Sequence, residues 1–186
     1  MNIAQKQQLN AERKVVPSKL YHRFQELMPM VCVDVAVYVP GKGLFLGKRS
    51  MPPVKDLYWL PGGRLIYGEK PEDCAARKVK EETGMDIKVL GLLGIGDTVF
   101  EAGEKRHTVN LTYLAFATGN EVKLSADFTS YKFVDTVSED MHPYLRKMLS
   151  DSGIMDVNGA VSIKKLMRTV RLDERTGELS ALKRDL

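Results

Sequence analysis

Between residues 31 and 39 the chain reads VCVDVAVYV, an apolar run broken by a single charge at Asp34. Apolar side chains fall on both alternating faces, and most are β-branched valine. This pattern fits a strand covered on both sides. Such a strand calls for packed layers above and below it. Asp34 is the exception, because an acid inside such a strand needs a polar partner. The PGKG that follows turns the chain into LFLGKRS, the expected hairpin partner.

The surroundings of this strand read as an α+β sandwich. Residues 1–17 are polar and end at Pro17, as a loosely docked arm would. Ser18 is expected to cap a short helix, SKLYHRFQELM, with Leu20, Phe24 and Leu27 on one face and Pro29 ending it. MPPVKDLYWLPGG is loop-rich, and Tyr58, Trp59 and Leu60 read as an apolar plug. Pro71 opens a helix that runs to about Thr83, with Gly84 at its C′ position. Short strands are expected in IKVLGLLGIGDTVFEA, HTVNLTYLAFAT and YKFVD. A last helix carries Met141, Leu145, Met148 and Leu149 on one face. The expected division is an arm and short helix over 1–29, a domain over 30–149, and an extension over 150–186. In that extension TVRLDERTGELSAL suggests a hairpin around Arg175-Thr176-Gly177. An oligomer arm, in a homodimer, is one expectation for it.

At 186 residues the chain is long enough for one domain with a full core and appendages. No apolar run approaches a membrane span, and MNIAQKQQLNAERK lacks the apolar core of a signal peptide. Cys32 and Cys74 fall in an expected strand and helix, so both are expected as free thiols, and a cytoplasmic location is the simplest. The net charge of +4 suits an anionic small molecule, and a solvated basic surface accounts for it equally well. Nucleic acid is not the expected partner: KKLMRTVR reads first as a solvated helix face.

The chemistry concentrates in GGRLIYGEKPEDCAARKVKEETGM, residues 62–85. Gly62 and Gly63 allow backbone to approach a ligand and leave carbonyls free to point inward. Arg77 and Glu81 are four apart and face each other as an ion pair. Glu82 is turned by about 100° around the helix axis. Hard oxygen donors of this kind suit Mg²⁺ or Mn²⁺, which in turn bind a diphosphate.

This stretch resembles the Nudix box: G, five residues, E, seven residues, then R-E-U-x-E-E-x-G-U with U aliphatic. Gly63, Glu69, Arg77, Val79, Glu81, Glu82, Gly84 and Met85 match its spacing. The likeness covers roughly residues 30–148, and it implies a Nudix-type α/β/α sandwich with a mixed sheet plus a C-terminal extension. It also implies a Mg²⁺ (or Mn²⁺) site built from Gly62, Glu81, Glu82 and Asp127, and a nucleotide-diphosphate substrate. One box position departs. Lys78 stands where the pattern has a glutamate that serves many members as metal ligand or base. An ammonium about 7 Å from Mg²⁺ is repelled by roughly 5 kcal/mol at an effective dielectric near 20. Lys78 is therefore expected to swing toward Glu82 or toward the substrate diphosphate.

GDP-mannose mannosyl hydrolases are family members that lack that glutamate, and this chain is similar to them in PMVCVD, FLGKR and YWLPGGR. The resemblance implies that Asp34, Arg49 and Arg64 line the site, with the two arginines clamping the diphosphate. Asp127 aligns with the subgroup's metal-binding glutamine, and Phe128 with its catalytic histidine. Asp127 is thus a candidate ligand or base, Phe128 is neither, and mannose specificity stays open. Three readings follow: a hydrolase of nucleotide sugars such as GDP-mannose; a conventional pyrophosphohydrolase of nucleoside triphosphates or dinucleotide-type diphosphates, with Glu69, Glu81, Glu82 and Asp127 holding metal; and a non-hydrolysing nucleotide-binding regulator.

Other residues have plainer readings. Trp59 suits a core plug better than a base-stacking platform. Asp34 divides evenly between a substrate role and a structural pair with Arg49 or Arg64. His107, placed before a strand, reads first as a surface residue, and His22 and His142 are expected on helix surfaces.

Overall fold

The computed structural model describes residues 17–100, 106–136, 138–154, 170–172 and 179–181. Strand β1 (Met30–Val39) runs through the middle of a mixed seven-stranded sheet. On one edge it pairs in parallel with β6 (Arg106–Ala117) from Met30↔Thr108 to Tyr38↔Phe116. Its other edge is shared. β4 (Gly62–Arg64) pairs antiparallel with residues 32–34, and β2 (Gly43–Arg49) with Tyr38 and Val39. The sheet therefore forks beside β1, and the acid of the apolar run lies on the β4 arm of that fork.

β2 continues outward to β3 (Tyr58–Trp59) and β7 (Phe128–Val134). On the far side β5 (Ile87–Phe100) pairs antiparallel with β6 from Ile87↔Ala117 to Phe100↔Arg106. These are not the short strands expected from sequence but one long ribbon. Gly91 and Gly94 sit at register shifts in β5, where glycine lets a long strand bulge and bend.

Both faces of β1 are covered, as an apolar strand requires. Val33, Val35, Val37 and Val39 pack with Phe45 against Cys74, Ala75 and Val79 of the helix that spans Pro71–Thr83. Ala36, Leu44, Leu46, Trp59 and Leu60 pack on the other face against Met141, Leu145, Met148 and Leu149. The last three belong to the helix spanning Pro143–Asp151; Met141 precedes it in an isolated bridge with Tyr58. Ile154, just past that helix, is also buried in this second cluster.

With Ser18–Leu27 as α1, these helices are α2 (Pro71–Thr83) and α3 (Pro143–Asp151). Helix on sheet on helix makes the fold the α+β sandwich, with a mixed sheet, that the sequence led one to expect. Pro17, not Ser18, takes the N-cap position of α1, and Ser18 is its first helical residue. α2 ends on Gly84 at φ 73°, the left-handed C-cap that only glycine adopts freely. Short β8 (Val170–Leu172) and β9 (Leu179–Ala181) pair antiparallel, while the turn expected at Arg175-Thr176-Gly177 lies outside the described residues. So do residues 1–16 of the expected arm. No helix among the described residues is long and apolar enough to cross a membrane.

Candidate active site

The site forms where the end of α2 meets the β4 arm of the fork. Asp34 pairs with Gly62 and Val33 with Gly63 across β1 and β4, and α2 lies against that arm. A Cβ on Gly62 would lie 2.6 Å from Asp34 Oδ1 and against the Val33 carbonyl. A Cβ on Gly63 would lie 2.6 Å from Lys78 Cε. The two glycines are thus needed for close approach, one toward the sheet and one toward the helix.

Two cationic residues, adjacent in sequence, leave α2 toward different partners. Arg77 holds Glu69 with a two-pronged pair, Nε to Oε1 at 2.6 Å and Nη2 to Oε2 at 2.7 Å. It also donates to the Arg64 carbonyl and to Glu81, whose contacts at 3.3 and 3.4 Å are the longer ones. Burial works to raise the Glu69 carboxyl, but the Arg77 hydrogen bonds and charge hold it below its ordinary value. Glu69 is therefore a strut between the loop and α2; the sequence showed only the Arg77–Glu81 half of this arrangement.

Lys78 turns the other way. Its Nζ lies 2.7 Å from Glu82 Oε1 and 3.4 Å from Glu81 Oε2, the turn toward Glu82 expected from the sequence. The second Glu82 oxygen accepts from the Gly62 amide at 3.0 Å. Burial works to lower the lysine, yet the charges of Glu82, Glu81 and Asp127 raise it overall. Glu82 is raised by burial against the pull of Lys78 and of the Gly62 amide.

The loop after β6 is strapped to this helix end. Lys123 N donates to the Thr83 carbonyl and Ser125 N to that of Glu82, while Ser50 N donates to the carbonyl of Asp127. The exposed Asp127 side chain accepts from Ser125 Oγ at 3.0 Å, and its charge reaches both Lys78 and Glu82. Phe128 is buried in the core against Phe45. Arg49 ends β2 half-buried, with its Nε lacking a hydrogen-bond partner among the described residues and its charge felt at Asp34. Arg64 stacks its guanidinium on Tyr21 of α1, 4.8 Å from the ring centre.

Asp34 pairs with neither arginine. Its Oδ2 accepts from Asn110 Nδ2 at 2.6 Å and its Oδ1 from Trp59 Nε1 at 3.4 Å. Asn110 in turn accepts from Thr108 Oγ1. Burial is the main cause that pushes Asp34 up to about 6, against these hydrogen bonds and the charge of Arg49. Asn110 is the residue missed in the sequence. Its signal was present: a polar side chain in the apolar run of β6, at the same alternation as Thr108 and Thr112.

Trp59 is the buried plug expected, stacked on Tyr144 at 14° between ring planes. His142 is not on a helix surface: it caps α3, accepting from Tyr144 N, and packs against Trp59. His107 lies within β6 and faces Asp97 at 3.5 Å across the ribbon. Cys32 and Cys74 are free thiols, each pushed up to about 12, mainly by burial.

A NUDIX domain model matches residues 28–151, two thirds of the chain, and the chain belongs to the Nudix family of hydrolases. It is 33% identical over 109 residues to an ADP-ribose pyrophosphatase of Methanocaldococcus jannaschii. That match covers 59% of this chain and 63% of the relative, so the chain spans just under two thirds of that protein. The low-salt glycan biosynthesis protein Agl8 of Haloferax volcanii is 23% identical over 150 residues, 78% of this chain and 96% of that one. In fold, a MutT protein from Methanosarcina mazei Go1 superposes with a TM-score of 0.60 at 20% identity, over 68% of this chain and 95% of that one.

Members of this family generally use Mg²⁺ or Mn²⁺, so the donors must be tested against a divalent ion. Of the four expected donors, Gly62 meets Glu82 through its amide, Glu81 and Glu82 meet at Lys78, and Asp127 reaches them only through its charge on Lys78 and Glu82. Both oxygens of Glu82 already have partners, and Glu81 is shared between Arg77 and Lys78. Among the described residues no three acidic, histidine or cysteine side chains are arranged to hold a metal. With the lysine turned inward, this donor set does not fit a divalent ion.

Proposed function

We propose that the chain hydrolyses a nucleoside diphosphate-linked substrate, a nucleotide sugar such as GDP-mannose, releasing sugar and nucleoside diphosphate. The observation that carries this reading is the inward turn of Lys78 among Glu81, Glu82 and Asp127. A cation in that place favours holding a departing diphosphate over activating water beside phosphorus. In this reaction water oxygen bonds to the sugar C1, the C1–O bond breaks, and its electron pair leaves on the diphosphate. Asp127, the exposed acid of the cluster, takes the proton from water. Lys78 and Arg49 meet the developing negative charge, and Arg64 would join them by leaving Tyr21. Asp34 acts from beneath, fixing Trp59 and Asn110 at the floor. Two relatives support a diphosphate-linked sugar as substrate class: one is named for ADP-ribose, whose terminal ribose is joined to the diphosphate through C5 and so supports the diphosphate alone, and the other for glycan biosynthesis.

The name of the first relative also favours a second reading, attack at phosphorus in a pyrophosphohydrolase. Turnover of GDP-mannose, GDP-glucose and ADP-ribose in ¹⁸O water separates the two. Label in the free sugar supports attack at carbon. Label confined to phosphate overturns it in favour of the pyrophosphohydrolase. Binding of all three with no product from any leaves the chain a non-hydrolysing nucleotide-binding regulator.

A further inference from the structure

We infer that Lys78 is the resident cation of this site: its ammonium replaces a divalent ion as counter-charge to Glu81 and Glu82 and as the positive charge that meets a diphosphate. Nucleotide binding then needs no added metal.

Three observations converge on this. The lysine stem is seated, not loosely placed, because it lies over Gly63 where a Cβ would come within 2.6 Å of Cε and 3.1 Å of Cδ. Its head is shared by two carboxylates, at 2.7 and 3.4 Å, and a third acid, Asp127, adds its charge. Glu82 cannot rotate away freely to take another ion, since its second oxygen is held by the Gly62 amide at 3.0 Å. An ammonium has three N–H donors and no acceptor. Two are spent on Glu82 and Glu81, which leaves one for a phosphate oxygen. Arg77 cannot serve instead, because Glu69 occupies its fork.

The diphosphate half of this inference rests on the substrate class proposed above, whereas the metal half does not, and the test keeps them apart. Full-length chain freed of metal with EDTA is titrated with MnCl₂ alone, and free Mn²⁺ is followed by its paramagnetic resonance signal. Lys78→Glu is expected to bind one Mn²⁺ per chain about tenfold or more tightly than wild type, because two charge units change beside the acids. Equal, stoichiometric Mn²⁺ binding by wild type overturns the inference. Calorimetric titration with GDP and with ADP is then run in EDTA and in Mg²⁺. Wild type is expected to bind equally in both, within about threefold, and Lys78→Gln to lose about tenfold in EDTA while Lys78→Arg retains affinity. Binding that appears only with Mg²⁺ overturns the inference. If neither nucleotide binds under either condition, the substrate class fails, and the Mn²⁺ titration alone decides the role of the lysine. The wild-type comparisons stand even if a Lys78 variant proves unfolded by circular dichroism.

Discussion

Asp34 and Glu82 are both buried acids, at 4% and 2% exposure, and Gly62 stands between them. Asp34 is met by an amide and an indole, both neutral donors; Glu82 is met by an ammonium and a backbone amide. Burial raises both. Neutral partners can orient a carboxylate but return little of its lost hydration, so Asp34 titrates near the physiological range. A cation returns more of it, at the cost of making the acid dependent on that one side chain. One acid belongs to the floor of the site and the other to its charge balance.

The comparison breaks most sharply at Lys78. Lys78→Met leaves Glu82 buried without its cation and is expected to cost about 3–5 kcal/mol at pH 7.5 in chemical denaturation. The loss should shrink as pH falls, because the stranded acid can then take up a proton. The double variant Lys78→Met/Glu82→Leu should recover most of it, since an apolar pair has no charge to strand. A double variant as unstable as the single one would mean that packing over Gly63, not charge, holds the lysine.

Gly62→Ala strikes both acids at once. Its methyl would press on Asp34 Oδ1 and the Val33 carbonyl, and a loss of about 2–3 kcal/mol is expected, visible as a lowered midpoint. Full stability of that variant would show that β4 can move off β1.

Asp34 gives a pH signature of comparable or smaller size. Its folded value near 6 lies above the ordinary aspartate value of 3.8, so between these the folded chain binds the extra proton. Stability from this group is therefore greatest below about pH 4 and is lost as pH rises through 6, about 3 kcal/mol in all. Denaturation of wild type and Asp34→Asn from pH 4 to 7.5 should diverge by that slope; parallel curves would place Asp34 with an unnoticed cation. The smallest effect belongs to the exposed Lys80–Asp86 pair, where Lys80→Ala should change stability by less than about 0.5 kcal/mol.

Much of this was legible in the sequence because the relevant interactions are local. Periodicity exposed β1, Pro71 and Gly84 bracketed α2, and an i,i+4 spacing placed Lys78 beside Glu82. What was not legible depended on contacts between distant segments. The neutral partner of Asp34 comes from residue 110, brought alongside by parallel pairing of β1 with β6. The fork of Arg77 closes on Glu69 across a loop, not on the nearer Glu81. The length of the β5–β6 ribbon was not legible because it depends on pairing from Ile87↔Ala117 to Phe100↔Arg106, between segments whose alignment no local pattern gives. His142 was misplaced because the position of Pro143 at the first turn makes its predecessor a cap.

The backbone bonds from residues 123 and 125 to the end of α2, with that from residue 50 to the carbonyl of Asp127, have a mechanical consequence. Three segments far apart in the chain are thereby hydrogen-bonded to one another. A ligand that shifts any one of them must drag the others with it, so tightening around a guest would be all-or-none rather than piecemeal.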